Sequence, residues 1–515
     1  MRAGSIRAGA SVILGAMVSA ALVLGCAGDE APSTQAPSPE PSAPLPREWT
    51  CPADAPHVLV AQEPASHAPL APVPGALAPV VTSMSPASGP LLAAIEIHGT
   101  NLRTGADGEY ISFGAGEREV RIVPSSWSSD SLYFRAPLGA QGDVVVHTAG
   151  GEAKAGAFEP TFRSSAVYRL PPAVAYTSSP RLRVLGAFAT ATRAWALVER
   201  SDEASTARSP MTLVAFDGDM LSSVALEGLV HPTDFAKSLT AFLPRPDGVD
   251  LVYMPSVVAR SSDPVPPSFR VSVRGERVLV DQGCAIGEDG LALERTASGE
   301  LAMWTHLPRR AAARLVHDES TGVWRLDRET KSGIHGKGIA PGNGTVAFAW
   351  GDLDPNTRLL DTKTRIRAAV FDPVANDFRT TDLTPFRDDG AHARVFVTHS
   401  GITVGHCNHD STGGLNDTSS YGSRCHVDVL GSSGEFRSAE AWPTDLREGY
   451  RFGALAGAIT AMRTEGDRKF LVSPSEEPLV TVIDDDADVT FADGDLDGGA
   501  MLAVSRGELV VLRPR

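Results

Sequence analysis

The chain is poor in charge, in aromatic side chains and in cysteine. Charged residues make up 21% and aromatics 6% of its 515 residues, and there are five cysteines. It is also short of positive charge: 46 Lys+Arg stand against 62 Asp+Glu, a net charge of −16. That deficit excludes a nucleic-acid backbone as partner, because phosphate binding runs on Lys and Arg that release counterions. It equally excludes docking on anionic lipid by charge alone. Past residue 24 no long apolar run occurs, so no later helix is expected to span a bilayer. Helix-period stretches longer than a few turns are lacking from Thr161 to Arg515. Missing too are G-x-S-x-G, H-E-x-x-H and G-x-x-x-x-G-K-S/T, so no catalytic residue is assigned.

What is present points to an all-β chain. Hydrophobic residues reach 42%, enough for a sizeable core. The 49 glycines and 38 prolines suit turn-rich β structure. Arg2 and Arg7 precede an acid-free apolar run from Ala8 to Leu24, the pattern of a secretory leader over residues 1–25. The run ends in Val23-Leu24-Gly25-Cys26, which resembles a bacterial lipobox. The resemblance implies that Cys26 is lipidated and anchors the chain to a membrane. Ala27 after the cysteine implies the outer membrane, on its periplasmic or surface-exposed side.

Residues 26–78 are rich in Pro, Ala and Ser, with thirteen prolines between Ala27 and Pro79. Such a segment favours extended polyproline II, reads as a disordered stalk, and reaches on the order of 100 Å. Trp49-Thr50-Cys51-Pro52 interrupts it, and a tryptophan beside a cysteine is expected to dock onto the body.

Residues 79–160 open Pro79-Val80-Val81-Thr82-Ser83-Met84-Ser85-Pro86 and continue Ile95-Glu96-Ile97-His98-Gly99-Thr100-Asn101-Leu102 and Ile111-Ser112-Phe113-Gly114. Ile95, Ile97, Ile111 and Phe113 alternate with polar neighbours, the period of a half-buried strand. Together with Trp127, Pro137, Val144-Val145-Val146 and Phe158, this segment resembles an IPT/TIG domain. The resemblance implies an immunoglobulin-like sandwich acting as spacer or binding module. Leu92 and Ala93 stand where the family has paired glycines.

From 161 to 515 an apolar-strand, turn, strand unit recurs about seven times, at roughly the 40–60-residue period of propeller blades. Examples are Arg193–Val198 with Thr212–Gly218, Thr345–Trp350 with Ile366–Asp372, and Met501–Val504 with Leu509–Leu512. This predicts a seven-bladed β-propeller, closed by a strand near Ala166-Val167-Tyr168-Arg169-Leu170. A pair of β-sandwiches with similar strand spacing is the alternative.

With Cys26 lipidated, four cysteines remain. Cys407 and Cys425 flank a Gly/Ser/Asn/Asp-rich loop and are expected to bridge, which leaves Cys51 for Cys284. His406, His409, Asp410, His426 and Asp428 lie in the same neighbourhood, so a His/Cys zinc site competes with a disulfide among surface histidines. Asp493-Gly494-Asp495-Leu496-Asp497-Gly498-Gly499 resembles calcium loops, including those of FG-GAP repeats. The resemblance makes Asp493, Asp495 and Asp497 candidate Ca²⁺ ligands. Gly351-Asp352-Leu353-Asp354 is a weaker echo, and Asp484-Asp485-Asp486 follows from acidic composition alone. No other cofactor is expected. The reading is a non-enzymatic cell-envelope lipoprotein displaying a binding module for a protein or polysaccharide ligand. The alternatives are an extracytoplasmic polysaccharide-acting enzyme with its site on the propeller axis, and a structural envelope-assembly protein.

Overall fold

A computed structural model describes residues 48–50, 56–62, 70–116, 119–169, 181–201, 210–218, 220–230, 237–256, 268–284, 287, 289–307, 311–342, 344–353, 363–384, 387–388, 391–411, 421–441, 451–473, 476–484, 487–505 and 507–515. Cys26 and Cys51 lie outside them, and with them the lipidation and the Cys51–Cys284 pairing. The described residues form strands and turns with no α-helix. No helix among them is long and apolar enough to cross a membrane.

Residues 80–160 build a sandwich of two sheets. One orders Val80–Ser85, Ala94–Thr100, Ser131–Arg135 and Ser126–Trp127. The other orders Ser88–Gly89, Gly151–Pro160, Gly142–Thr148, Tyr110–Phe113 and Val120–Ile122. The alternation seen in the sequence sets the faces: Ile95, Ile97, Ile111 and Phe113 are fully buried between the sheets. Phe113 meets Phe134 and Phe158 edge-on at 5.9 and 6.1 Å, the favoured arrangement for aromatic quadrupoles.

Leu92 takes a positive φ of 59°, a conformation natural to the glycine it replaces. Its side chain offsets that strain by packing. Leu91, Leu92, Leu138 and Phe162 form one cluster with Val482, Ile483, Val489 and Leu512 of the second region. The Leu91 backbone bonds to Val482 and Asp484, and Arg135 donates to the Asp484 carbonyl at 2.7 Å. The sandwich is therefore seated on its neighbour through both apolar and main-chain contacts.

The second region is propeller-like. Its described residues form seven antiparallel sheets. The first six begin with Arg181–Ala189, Lys237–Arg245, Asp289–Arg295, Gly338–Gly342, Ala391–Thr398 and Arg451–Leu455. The seventh begins with Asp488–Phe491. Each of these first strands lies against the next, and Arg181–Ala189 meets Met501–Ser505 of the seventh sheet, so the series closes on itself. Seven separate apolar clusters follow, one for each sheet-to-sheet contact. Arg163–Ser164 and Tyr168–Arg169 both pair with the terminal Glu508–Arg513 strand. The chain thus fastens its last sheet with residues that precede the first, where Ala166–Leu170 was expected to do so.

Residues 48–50, 57–58 and 60–61 form strands where their composition predicts a disordered stalk. Glu48–Thr50 adds a strand to the third sheet, His57–Val58 to the second and Val60–Ala61 to the first. In chain order these three strands meet the sheets in reverse, third, second and first. Trp49 lies opposite Trp324 and packs on the cluster between the second and third sheets, as its position beside Cys51 suggested. Leu59 packs on the preceding cluster. A Pro-rich chain is already extended, so adding it to an open edge costs little further order and covers that edge.

The second and third sheets meet over a charged network. Asp250, fully buried, faces Arg245 at 3.2 Å, Arg270 at 3.7 Å and Arg295 in direct contact. Arg270 also holds Asp281 at 2.6 Å and His317 at 3.0 Å. At its rim Glu319 accepts from Arg245 at 3.0 Å and from Arg274. Burial opposes ionisation of Glu319, but the two guanidinium groups outweigh it and bring the carboxyl down to about 2. A depressed carboxyl stabilises the fold above its unfolded pKa of ~4.3, and that contribution is lost as pH falls toward the folded value. We expect the urea midpoint to fall between about pH 4.3 and 2, and Glu319→Gln to flatten that dependence. A parallel slope in the variant would contradict the assignment.

Candidate functional site

The first strands of the sheets line the inside of the ring, and three charged side chains meet there. Arg394 is fourth in its strand. Lys337 directly precedes Gly338–Gly342 and forms a parallel bridge with Leu291 of the third sheet. Asp493 follows the seventh sheet's first strand, and Asp493–Gly494 pairs in parallel with Phe188–Ala189 of the first. Arg394 Nη2 donates to Asp493 Oδ1 at 2.6 Å, and Lys337 Nζ donates to Oδ2. Arg394 also donates to the carbonyls of Phe452 and Phe491, at 3.1 and 3.5 Å. One carboxylate thus ties together sheets four, five, seven and one.

The electrostatics follow from this crowding. Burial works against the Asp493 anion, but Lys337 and Arg394 outweigh it and hold its pKa below the usual carboxylate value. Lys337 goes the other way. Burial, with the repulsion of Arg394, lowers its pKa in spite of Asp493.

Of the three calcium candidates, Asp493, Asp495 and Asp497, the first is engaged by other charges. Both oxygens of Asp493 are taken by cations. Asp495 is pushed up by burial and then by Asp497, the mark of carboxylates without a compensating charge. No group of three or more His, Cys, Asp or Glu among the described residues is placed to hold a metal ion. The glycines that made the segment look like a cation loop have another cause. A Cβ on Gly498 would sit 2.3 Å from the Ala189 oxygen, and one on Gly499 2.2 Å from the Ala454 oxygen. The turn is glycine-rich because it is wedged between the first and sixth sheets at the closure of the ring. The echo at Asp352 is likewise engaged, by Arg365 and Arg367 at 3.1 and 3.0 Å.

A second polar pair lies beside the first. Asp289 Oδ2 meets His335 Nδ1 at 2.9 Å, while Oδ1 accepts the Gly336 and Gly290 amides. Burial opposes the Asp289 anion, but these partners outweigh it and lower its pKa. His335 stands edge-on to His306 at 5.3 Å and 5.5 Å from Trp350. Motif reading missed this pair, because 46 positions separate the two residues. The only local signal was the glycine-rich run Gly333-Ile334-His335-Gly336-Lys337-Gly338.

Cys407 and Cys425 are bridged, with S–S 2.04 Å, and stand directly opposite each other on paired strands. The bridge fills the contact between the fifth and sixth sheets. It removes both thiolates from any zinc site. Strand alternation then separates the neighbouring histidine: His406 points to the other face, buried, with Nε2 2.6 Å from Asp428 Oδ2. His406 is therefore a core residue and not a surface one, and Asp428 is its partner. His426 lies across from it, with ring centroids 5.6 Å apart. The strands also carry His409 and Asp410, whose side chains lie outside the described set. We expect Cys407→Ser to lower stability by ~3 kcal/mol through the freed 18-residue separation, read as a shifted denaturant midpoint. An unchanged midpoint would mean that the sheet alone holds these strands.

Comparison with known proteins adds the following. No curated protein matches the chain. Among solved structures, the chain is similar to an auxiliary nutrient binding protein from Bacteroides ovatus. That match has 11% identity and a TM-score of 0.28, covering 86% of this chain and 100% of the other. A puromycin-hydrolyzing peptidase from Mycobacterium tuberculosis matches at 13% identity and TM-score 0.37, over 65% and 54%. Hydrazine synthase from Kuenenia stuttgartiensis matches at 13% and 0.39, over 64% and 96%. TM-scores at this level carry no argument about function. The family model that matches is that of the IPT/TIG domain, over residues 79–162, the sandwich described above.

Proposed function

We propose that this chain is a non-enzymatic cell-envelope lipoprotein. In this reading Cys26 carries the lipid, and the seven sheets are the blades of one closed propeller beside the IPT/TIG sandwich. The whole presents a binding surface to a protein or polysaccharide ligand. The observation that carries the binding reading is the state of the carboxylates inside the ring. Asp493 is held by two cations and Asp289 by His335 and two amides. Cleavage of a glycosidic bond commonly uses two carboxyl groups, one as acid and the other as base or nucleophile, neither locked in an ion pair. A surface of fixed, paired charges instead suits recognition, since its donors and acceptors are already oriented. Among the described residues the enzyme reading draws support from the half-exposed His335 with its Asp289 orienter.

The test is in-cell crosslinking of the full chain with a C-terminal tag, followed by mass spectrometry and metabolic labelling with an alkyne palmitate. We expect label on the wild type, none on Cys26→Ser, and one abundant envelope protein or glycan in the crosslinked fraction. Absence of label would remove the anchor. Turnover of a polysaccharide that is lost in His335→Ala would replace binding by catalysis.

A further inference from the structure

The outer face of the five-stranded sheet in the sandwich carries a polar groove that the ring does not explain. Tyr110, Arg121, His147 and Glu152 come from four adjacent strands and share that face through the register His147↔Tyr110 and His147↔Glu152. The Tyr110 ring is clamped. His147 stacks on it at 4.2 Å with planes 15° apart, and the Arg121 guanidinium lies 4.2 Å from the ring centre. Two groups this close occupy opposite faces of the ring. Each outer member has its own acid: Arg121 bonds Glu119 bidentately at 3.0 and 3.1 Å, and His147 Nδ1 lies 3.0 Å from Glu152. Leu70 and Pro72 supply an apolar wall, pinned where Val73 donates to the Ala149 carbonyl. They enclose about 380 Å³ against the sheet. That is within the range of small-ligand sites, about 300–1,000 Å³.

Ser112 Oγ lies 2.7 Å from His147 Nε2, so Ser112, His147 and Glu152 imitate a hydrolytic triad. The imitation fails on access. Ser112 is 3% exposed and does not line the groove. With the Glu152 carboxylate on Nδ1, the imidazole carries its proton there and Nε2 accepts from the serine. Ser112 and Glu152 thereby fix the tautomer and orientation of His147. The result is a rigid array in which a donor and a carboxylate oxygen stand side by side twice.

We propose that this groove binds one or two residues of a neutral saccharide. A vicinal diol donates and accepts at adjacent atoms, as such paired groups require. Two carboxylates repel an acidic ligand, and Arg121 on the edge strand repels a cationic one from its side of the groove. Tyr110 offers no free face for stacking, so recognition runs through its hydroxyl edge, Arg121, Glu119 and Glu152. The inference rests on the binding reading above and deepens it by naming a ligand class and placing it on the sandwich.

The test uses the purified full chain in detergent with cellobiose, maltose and chitobiose as probes, and a lysine-rich peptide as the competing chemistry. Binding is followed by calorimetry and saturation-transfer NMR. We expect at least one disaccharide to bind, and Arg121→Lys and Glu152→Gln each to weaken it at least tenfold without moving the melting temperature. Lys154→Ala, on an exposed pair of the same sheet, should leave it unchanged. No disaccharide binding, binding indifferent to both variants, or binding of the peptide alone would overturn the proposal. If the saccharide test fails while crosslinking still captures an envelope partner, only the sandwich subsite falls.

Discussion

Replacing Asp250 by alanine is expected to destabilise the protein by about 3–5 kcal/mol, the usual cost of breaking a buried ion pair from one side. The side chain is fully buried and faces Arg245, Arg270 and Arg295. Without it, three guanidinium groups are left near one another in the contact between two sheets. Arg270 retains Asp281 at 2.6 Å, but Arg295 loses the carboxylate it contacts. The change should register in Trp324, which packs against His317 of the same network at 4.9 Å. The measurement is a urea titration followed by tryptophan fluorescence. A shift under 1 kcal/mol would mean that water enters and solvates the arginines. Replacing Arg270 by methionine and Asp281 by leucine together should cost much less than either alone, because an apolar pair needs no counter-charge.

The second large effect is expected at Asp493. Asp493→Asn should cost about 3 kcal/mol, toward the lower end of the same range because the carboxylate keeps some exposure. It removes the anion that Lys337 and Arg394 share. The variant should also carry a pH signature. Lys337 already has a depressed pKa, and loss of Asp493 depresses it further. A lysine whose folded pKa lies below its unfolded value binds fewer protons in the native state, so stability rises with pH across that interval. The deficit of Asp493→Asn should therefore shrink as pH climbs toward the unfolded lysine value of ~10.4. A deficit independent of pH would place the lost energy in the backbone turn at Gly498–Gly499 instead. Because Asp493 joins four sheets, the variant should open the ring locally. Faster amide exchange in Phe188–Ala189, its parallel partners, would show this.

Local pattern carried much of the architecture. The alternation Ile95, Ile97, Ile111, Phe113 named both faces of the sandwich, since strand geometry sends neighbouring side chains to opposite sides. The same rule, applied to the apolar runs after residue 161, marked strands now seen in the seven sheets. Cysteine spacing identified the Cys407–Cys425 bridge, and the need to close the repeat called for a strand near Ala166–Leu170, where Tyr168–Arg169 pairs with the last strand. Composition did not show the strands at residues 48–50, 57–58 and 60–61, because proline content reports that a chain is extended and not whether an open sheet edge is within reach. At Asp493-Gly494-Asp495 the loop glycines also serve a close backbone approach, which spacing alone does not reveal.

The sequence by itself determined a β-only chain, a sandwich of known type, a repeating sheet unit and one disulfide, all properties set by residues within a few tens of positions. Only the tertiary structure decided which charges meet. Lys337 and Asp493 are 156 positions apart, Arg394 and Asp493 99, and Arg135 and the Asp484 carbonyl 349. In a ring of sheets the inner strands converge from every repeat, so the composition of the centre depends on closure and register. Neither is written in any single segment, and a carboxylate takes its role from the cations that closure brings to it.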